Sequence, residues 1–396
     1  MLQSSPVHAR ALVTSLPGSL IRDVANSAMG RQDVLPFWFG ESDQPTPAFI
    51  RDAAAKSLLQ GETFYTQNLG RPYLREAIAA YLSRLHDRPV AADRIAVTGS
   101  GVSALMLAAQ LLVSPGDRVV AVTPLWPNLV EIPRILGAHV HRVGLHVEHG
   151  RWALDLDRLT AALTPDTRLL LLNSPNNPTG WTIDEPGLQA ILAHCRRLGI
   201  WILADDVYER LVHDPALGSA PSFLRLYEDG DRVLSVNSFS KAWSMTGWRV
   251  GWITAPASLT DDLGKLLEYN TSCVAEPTQR AGAAALTQGE DEVALLRAHL
   301  TRTRDFLVRR LTGMPDIEVP AAGGAMYAFF RIRGRHDSLQ LARQLVSEAG
   351  LGLAPGLAFG PEGEGWLRWC HAVRMEALEL GTQRLQQFLG HTPPRR

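Results

Sequence analysis

The stretch NSFSKAWSMTGWRVGW, Asn237 to Trp252, sets one lysine among serines, glycines and an arginine. The chain has only three lysines, Lys56, Lys241 and Lys265, among 39 basic residues, so a lysine here is an unusual choice for a surface cation. An ε-amine condenses with an aldehyde, which a guanidinium cannot do. Ser238 and Ser240 supply hydroxyl donors, and Arg249, after a glycine-containing turn, supplies a two-pronged cation for a phosphate. Together they suit a phosphorylated aldehyde. The same residues also fit a loop lysine beside a structural arginine.

Four further segments carry candidate chemistry. In TGSGVSALML the amides of Ser100, Gly101 and Val102 open a helix, where backbone N–H groups and the helix dipole favour an anion, although small residues also serve packing at such turns. LADDVYERL offers Asp205 and, three residues on, Tyr208. A buried carboxylate facing a pyridine nitrogen keeps it protonated and makes the ring an electron sink. Asp205 could instead cap a helix, and the choice between Asp205 and Asp206 rests on spacing to Tyr208. In NSPNNPTG, Pro175 and Pro178 hold the adjacent Asn176 and Asn177 rigid and so give a fixed amide donor for a phenolate oxygen, or the run is simply a strand-to-helix loop. TPLWPNL fixes Trp126 to stack on a planar ring, or to pack in the core.

These residues need a scaffold that gathers them. From about residue 92 to 253 short β-rich runs (RIAVTGS, DRVVAV, TRLLLLN, IWILADD, RVLSVN) alternate with helical segments. Runs apolar on both faces and separated by helices predict an α/β fold with a mostly parallel central sheet sandwiched by helices. Ligands of such sheets lie at the carboxyl ends of the strands. Asn173 and Asn177 follow RLLLL, Asp205 follows WILA, Ser238 to Lys241 follow VLSV, and Thr98 to Gly101 follow IAV, so one site collects four loops. Residues 1–45 read as an irregular arm, rich in Pro and Gly, that adds to a smaller unit. Residues 46–289 read as the large domain. Residues 290–396 read as a small α+β domain, opening with the long Arg-studded helix VALLRAHLTRTRDFLVRRL and carrying AMYAFFRI, LQLARQLVSEAG, GWLRWC and RMEALEL.

Composition narrows the partners. With 46% apolar residues and a formal charge of −1 there is no electrostatic footprint for nucleic acid or anionic membrane. Cys195, Cys273 and Cys370 are odd in number and lack metal-ligand spacing, which predicts reduced thiols and no metal site. No basic leader followed by an apolar run and no stretch of about 18 apolar residues is present, so a cytoplasmic protein is expected.

SPNNPTG, ADDVY, SFSKAWSMTGWRVGW and GWLRW, in that order, resemble the class I aminotransferases of the fold-type I pyridoxal-phosphate enzymes, typified by aspartate aminotransferase. The resemblance runs from GESDQPTP and FYTQNLGRPYLREAIAAYL to Arg368. It implies pyridoxal 5'-phosphate as cofactor, with Lys241 the Schiff-base lysine, Asp205 the pyridinium partner, and Asn177 and Tyr208 binding the ring phenolate oxygen. Arg249, Ser238 and the amides of Ser100, Gly101 and Val102 are implied to hold the phosphate, and Trp126 to cover the ring. Arg368 resembles the arginine that clamps the substrate α-carboxylate, with Asn177 and the Gly40 backbone beside it. Tyr65 resembles a tyrosine that reaches the phosphate of the other subunit, which implies a homodimer with shared sites. Two departures stand out: Ser42 follows Gly40 and Glu41 where the family usually has proline, and Val102 replaces a residue that is often polar.

The implied reaction is ping-pong transfer of an amino group between an L-amino acid and a 2-oxo acid. The same motifs serve a C–S β-lyase or an aminocyclopropane-forming lyase. An aminotransferase-like effector domain of a regulator needs a DNA-binding partner domain, for which the arm is too short and too weakly basic. Phe37, Trp38, Phe39, Leu20 and Ile21 predict apolar surface near the substrate. No lysine follows SGVSAL, where one branch of the family keeps a ligand for a side-chain carboxylate, so apolar or aromatic donors are expected over aspartate.

Overall fold

The computed structural model describes residues 8–391. The first seven residues of the expected arm and the last five of the expected C-terminal unit lie outside the described residues. A seven-stranded sheet forms from β1 (Ile95–Thr98), β2 (Arg118–Thr123), β3 (His139–Gly144), β4 (Thr167–Asn173), β5 (Trp201–Asp205), β6 (Val233–Ser238) and β7 (Gly251–Thr254). Its spatial order is β1-β7-β6-β5-β4-β2-β3. Strands β2 to β6 pair in parallel, and β7 runs antiparallel between β1 and β6.

Continuous apolar strands follow from burial on both sides. Val119, Ala121, Leu169, Leu171 and Leu203 face one cluster with helix Gly101–Leu112. Their neighbours Val120, Val122, Leu170, Leu172 and Ile202 face the other, with helix Glu185–Leu198. The register sets Asn173 opposite Asp205, and Gly251 of the antiparallel strand opposite Ser238. The polar residues that end β4, β5 and β6 therefore share one edge.

A second, antiparallel sheet comprises β8 (Ile317–Glu318), β9 (Tyr327–Ile332), β10 (Ala354–Pro355) and β11 (Trp366–Cys370), in the order β8-β9-β11-β10. Helices Glu290–Thr312, Ser338–Ala349 and Met375–His391 pack with it. No helix of the described residues is long and apolar enough to cross a membrane. No three His, Cys, Asp or Glu among them are placed to hold a metal. The three cysteines are free, with Cys195 and Cys370 buried and Cys273 partly exposed.

The arm departs from the irregular segment expected of it. Residues Leu20–Ser27 are helical because the Ser19 side chain caps the first turn, accepting from the Arg22 amide at 3.3 Å, and Ile21 and Val24 bury one face. Proline and glycine lie outside that turn. Beyond it, Leu35–Pro36 pairs in parallel with Leu351–Gly352, so the arm is built into the C-terminal part of the chain. Trp38 fills the space above Gly352, where an added Cβ would lie 2.1 Å from the indole ring. Gly352→Ala should therefore cost about 1–3 kcal/mol through overpacking. A denaturant midpoint unchanged from the parent protein would refute that packing.

Candidate active site

Lys241 lies in the one-turn helix Phe239–Ala242 that starts where β6 ends. Ser238 caps this turn, its hydroxyl accepting from the Ser240 amide at 3.2 Å. The Lys241 amine is partly buried and donates to the carbonyl of Gly40 at 2.5 Å, and no carboxylate pairs with it among the described residues. Its Nζ lies 5.9 Å from the centre of the Tyr208 ring. Burial is the main cause that lowers its pKa to about 8. Cys370 and Glu41 oppose the shift, and Arg368 and Arg249 add to it.

Asp205 ends β5, Asp206 follows it, and the two part company. Asp206 accepts from the hydroxyls of Ser235 at 2.6 Å and Ser222 at 3.3 Å, on a buried side shared with Glu209. Among the described residues the Asp205 carboxylate accepts only the Val207 amide, at 3.3 Å, and Asp205 is 4% exposed. Burial raises its pKa to about 7 against the pull of that amide, while Asp206 pushes further up and Lys241 pulls down. It is a buried carboxylate without a cation bound to it.

Arg368, on β11, is its counterpart in sign. The guanidinium is 2% exposed, donates to Asn177 Oδ1 at 2.7 Å and to the Trp38 carbonyl at 2.5 Å, and leaves Nε without an acceptor. It stacks over Tyr327 at 4.4 Å and Phe359 at 4.8 Å. No carboxylate neutralises it within the described residues, an expensive state unless an anion completes it. Since arginine only donates, the Asn177 atom facing it is the carbonyl, and the Asn177 NH2 is turned the other way. The Asn177 amide is pinned to Asn173 Oδ1 at 2.7 Å, Asn173 donates to the Asp205 carbonyl at 3.0 Å, and the Asn177 carbonyl accepts the Trp126 amide at 3.0 Å. Three loops are thereby tied together.

At the fourth loop, Ser100 caps helix Gly101–Leu112, its side chain accepting from Ser103 at 2.9 Å. The next amide in the turn, that of Ala104, goes to the Ser100 carbonyl, and those of Gly101 and Val102 have no acceptor among the described residues. Two glycines allow close approach here. A Cβ on Gly101 would lie 3.1 Å from Ser238 Cβ, and one on Gly251 only 2.8 Å from the Gly101 amide nitrogen. Arg249, two residues before Gly251, is exposed and in the left-handed region, at φ 52°, its guanidinium donating to the Thr246 carbonyl at 2.6 Å.

The model of the aminotransferase class I and II family matches residues 32–385. The chain belongs to this family. A probable N-acetyl-LL-diaminopimelate aminotransferase of Bacillus subtilis is 32% identical, with 93% of this chain and 92% of the relative covered. An aspartate aminotransferase of Pyrococcus horikoshii is also 32% identical, over 94% of each chain. The crystal structure of an aspartate aminotransferase from Thermotoga maritima superposes with a TM-score of 0.89 at 29% identity, covering 96% of this chain and 100% of that one. The protein is a transaminase of this aspartate-aminotransferase-like fold.

In this aminotransferase the strand ends bring together Ser100, Gly101, Val102, Asn177, Asp205, Tyr208, Ser238 and Lys241, and the arm and second sheet add Gly40 and Arg368. Tyr65 stays apart, its side chain 88% exposed. Val102 packs against the core, leaving only its amide for a ligand. The aromatic substrate surface is smaller than expected: Phe37 packs on Trp369 at 5.0 Å, Trp38 and Ile21 are buried, and only Phe39 of the three aromatics reaches solvent, with the Arg22 guanidinium 5.8 Å from its ring centre. Sequence reasoning did not single out Tyr327 or Phe359. Tyr327 lies in AMYAFFRI, and only the pairing of Tyr327 with Cys370 and of Phe329 with Arg368 brings that strand to the site.

A lysine pKa near 8 means that the free base grows in across that pH rather than near 10.5. In cofactor-free protein, the rate at which Lys241 is trapped by a small aldehyde and borohydride should rise through about pH 8. A midpoint above pH 10, like that of an ordinary exposed lysine, would show that the pocket does not activate this amine.

Proposed function

We propose that the chain is a pyridoxal-phosphate-dependent transaminase acting on an L-amino acid and a 2-oxo acid. The observation that carries this reading is that one end of the sheet gathers an activated amine at Lys241 with, among the described residues, an unpaired buried carboxylate at Asp205 and an unneutralised guanidinium at Arg368. The donor set fits the cofactor. The amides of Gly101 and Val102, the Ser238 hydroxyl and Arg249 suit a phosphate, the Asn177 NH2 and the Tyr208 hydroxyl suit a phenolate oxygen, and Asp205, short of partners, suits a protonated ring nitrogen. Trp126 would lie on the ring face. When bound, pyridoxal phosphate supplies an aldehyde and an electron-withdrawing ring that acidifies the substrate Cα.

Each residue then has a task. Lys241 would hold the cofactor covalently through Nζ until an amino substrate displaces it. As a free base, Nζ next takes the proton from the substrate Cα, a role that a pKa near 8 permits close to neutrality. Arg368 orients the substrate through its α-carboxylate and so fixes which Cα bond faces Lys241. Asp205 holds the ring nitrogen's proton by charge. Of the apolar surface expected to choose the substrate side chain, Phe39 and Leu20 remain accessible, with a cation at Arg22 beside them. A screen of amino donors against pyruvate and 2-oxoglutarate measures the preference directly.

We also propose two structural features: that residues 46–289 form the large cofactor domain, with 1–45 and 290–396 making the smaller one, and that the enzyme is a homodimer whose sites are completed by Tyr65 of the partner. The exposed Tyr65, Phe64 and Tyr269 rings, each more than 80% exposed in the single chain, support the second.

Lys241→Ala should abolish transamination and leave no borohydride-fixed cofactor on the protein, whereas Lys56→Arg and Lys265→Arg should behave as the parent. Fixed cofactor in Lys241→Ala would remove the central assignment. Asp205→Asn should retain cofactor yet lose on the order of a hundredfold or more in kcat, the effect of removing a preorganised charge. Near-normal turnover would exclude that role for Asp205. In mixed dimers of a Tyr65 variant with Lys241→Ala, the site using the first chain's Lys241 receives an intact Tyr65. Activity should then exceed the sum of the two parents. Verified mixed dimers without such a gain would place Tyr65 outside the partner's site.

A further inference from the structure

We propose that Tyr327 is a positioning residue that donates its hydroxyl proton to Tyr208 and thereby aims the Tyr208 proton at the ring-oxygen position of the site. The proposal rests on reading the pocket as a pyridoxal-phosphate site. Its basis is the contact between the two phenols, with their oxygens 2.6 Å apart, rings nearly perpendicular at 74° and ring centres 5.7 Å apart. Both side chains are buried, and neither hydroxyl has another polar partner among the described residues.

Two hydroxyls carry two protons, and one contact uses one of them. Whichever oxygen accepts keeps its own proton for something else. If Tyr208 donated to Tyr327, Tyr208 would have nothing left to give the ring oxygen. If Tyr327 donates, the remaining proton of Tyr208 is free to point into the site, next to the NH2 group that Asn177 turns away from Arg368. Two donors converging on a ring oxygen favour its deprotonated form.

The electrostatic surroundings select this direction. The Arg368 guanidinium sits 4.4 Å above the Tyr327 ring, a fixed positive charge that strengthens the Tyr327 hydroxyl as a donor. Cys370 on the same strand and Glu41 before helix Ala48–Leu59 work against it more weakly. Tyr208 faces Asp205 on its own side, with Arg368 and Lys241 also near. Burial raises both phenols above their usual range, so both hydroxyls keep their protons.

Geometry keeps the donor in place. A Cβ on Gly40 would lie 1.9 Å from the Tyr327 oxygen, so this hydroxyl occupies the space that glycine leaves open. The chain leading into β9 is laced to both loops that bear the ring-oxygen donors. The Gly324 amide donates to the Gly180 carbonyl at 3.0 Å, the Ala325 amide to Leu211 at 2.8 Å, and the His213 amide to Gly323 at 2.9 Å. Ala325 takes up a left-handed conformation, at φ 64°, to make this entry. Tyr327 is thus tied to the loops that bear Tyr208 and Asn177, although it belongs to the other sheet.

The test uses holoenzyme and reads the midpoint of the pH-dependent absorbance change of bound cofactor. Tyr327→Phe keeps the ring beneath Arg368 and removes only the hydroxyl. It should raise that midpoint by about half to one pH unit, the worth of a hydrogen bond acting through one intermediary, and leave the affinity for a carboxylate inhibitor within about twofold. In a Tyr208→Phe background the same change should add almost nothing, since it acts through Tyr208. An unmoved midpoint in Tyr327→Phe, or an equal shift in both backgrounds, overturns the proposal. Incorporating 3-fluorotyrosine at 327 keeps the shape and strengthens the donor. It should lower the midpoint, and a rise or no change overturns the proposal without any loss of packing. Parent protein that takes up no pyridoxal phosphate overturns instead the reading of the pocket on which this rests.

Discussion

The hydrogen bond from the Lys241 amine to the Gly40 carbonyl is the contact on which the site turns, because its two ends come from parts of the chain 201 residues apart. Lys241 arrives on the end of β6. Gly40 arrives on the arm, which is held by the pairing of Leu35–Pro36 with Leu351–Gly352 and by Trp38 above Gly352. A single amine is thereby closed in by both sheets at once. Gly40 has to be glycine for the same reason, since the Tyr327 hydroxyl from the second sheet fills the volume where its side chain would be.

That enclosure makes the electrostatics unusual. Asp205 and Arg368 are buried and Lys241 partly so, and among the described residues none is paired with an opposite charge. Burying such groups destabilises a fold, and each responds in its own way: the amine loses basicity, the carboxyl gains it, and the guanidinium, which cannot titrate, spreads its charge over two aromatic faces and two neutral oxygens. The tightly packed clusters on both faces of the large sheet offset this cost. Under the proposed function, a cofactor with a protonated ring and an amino acid with a carboxylate would supply the missing partners, so that binding would relieve what folding leaves strained.

The gathering of the candidate site residues could be read before any coordinates. Asp205 and Ser238 end, and Asn177 and Lys241 closely follow, strands whose apolar runs mark them as buried on two sides, and a parallel sheet gathers such ends without further information. The helix in the arm was missed because proline and glycine around it masked an amphipathic turn with its own serine cap. Phe37 and Trp38 read as substrate surface because composition does not say which way a ring points. In the fold they fill the joint between arm and C-terminal sheet.

The sequence by itself determined which groups are available: one lysine in a setting where arginine is the rule, an aspartate at a strand end, an asparagine between prolines. These follow from local chemistry and from the period of the strands. Only the tertiary structure separates the surroundings of Asp205 from those of Asp206, by spending Asp206 on Ser222 and Ser235. It alone turned the Asn177 carbonyl to Arg368, and it alone set the Tyr327 hydroxyl against that of Tyr208. Such pairings depend on strand register and on close approach between segments far apart in the chain, and neither is encoded in the spacing of residues along one strand.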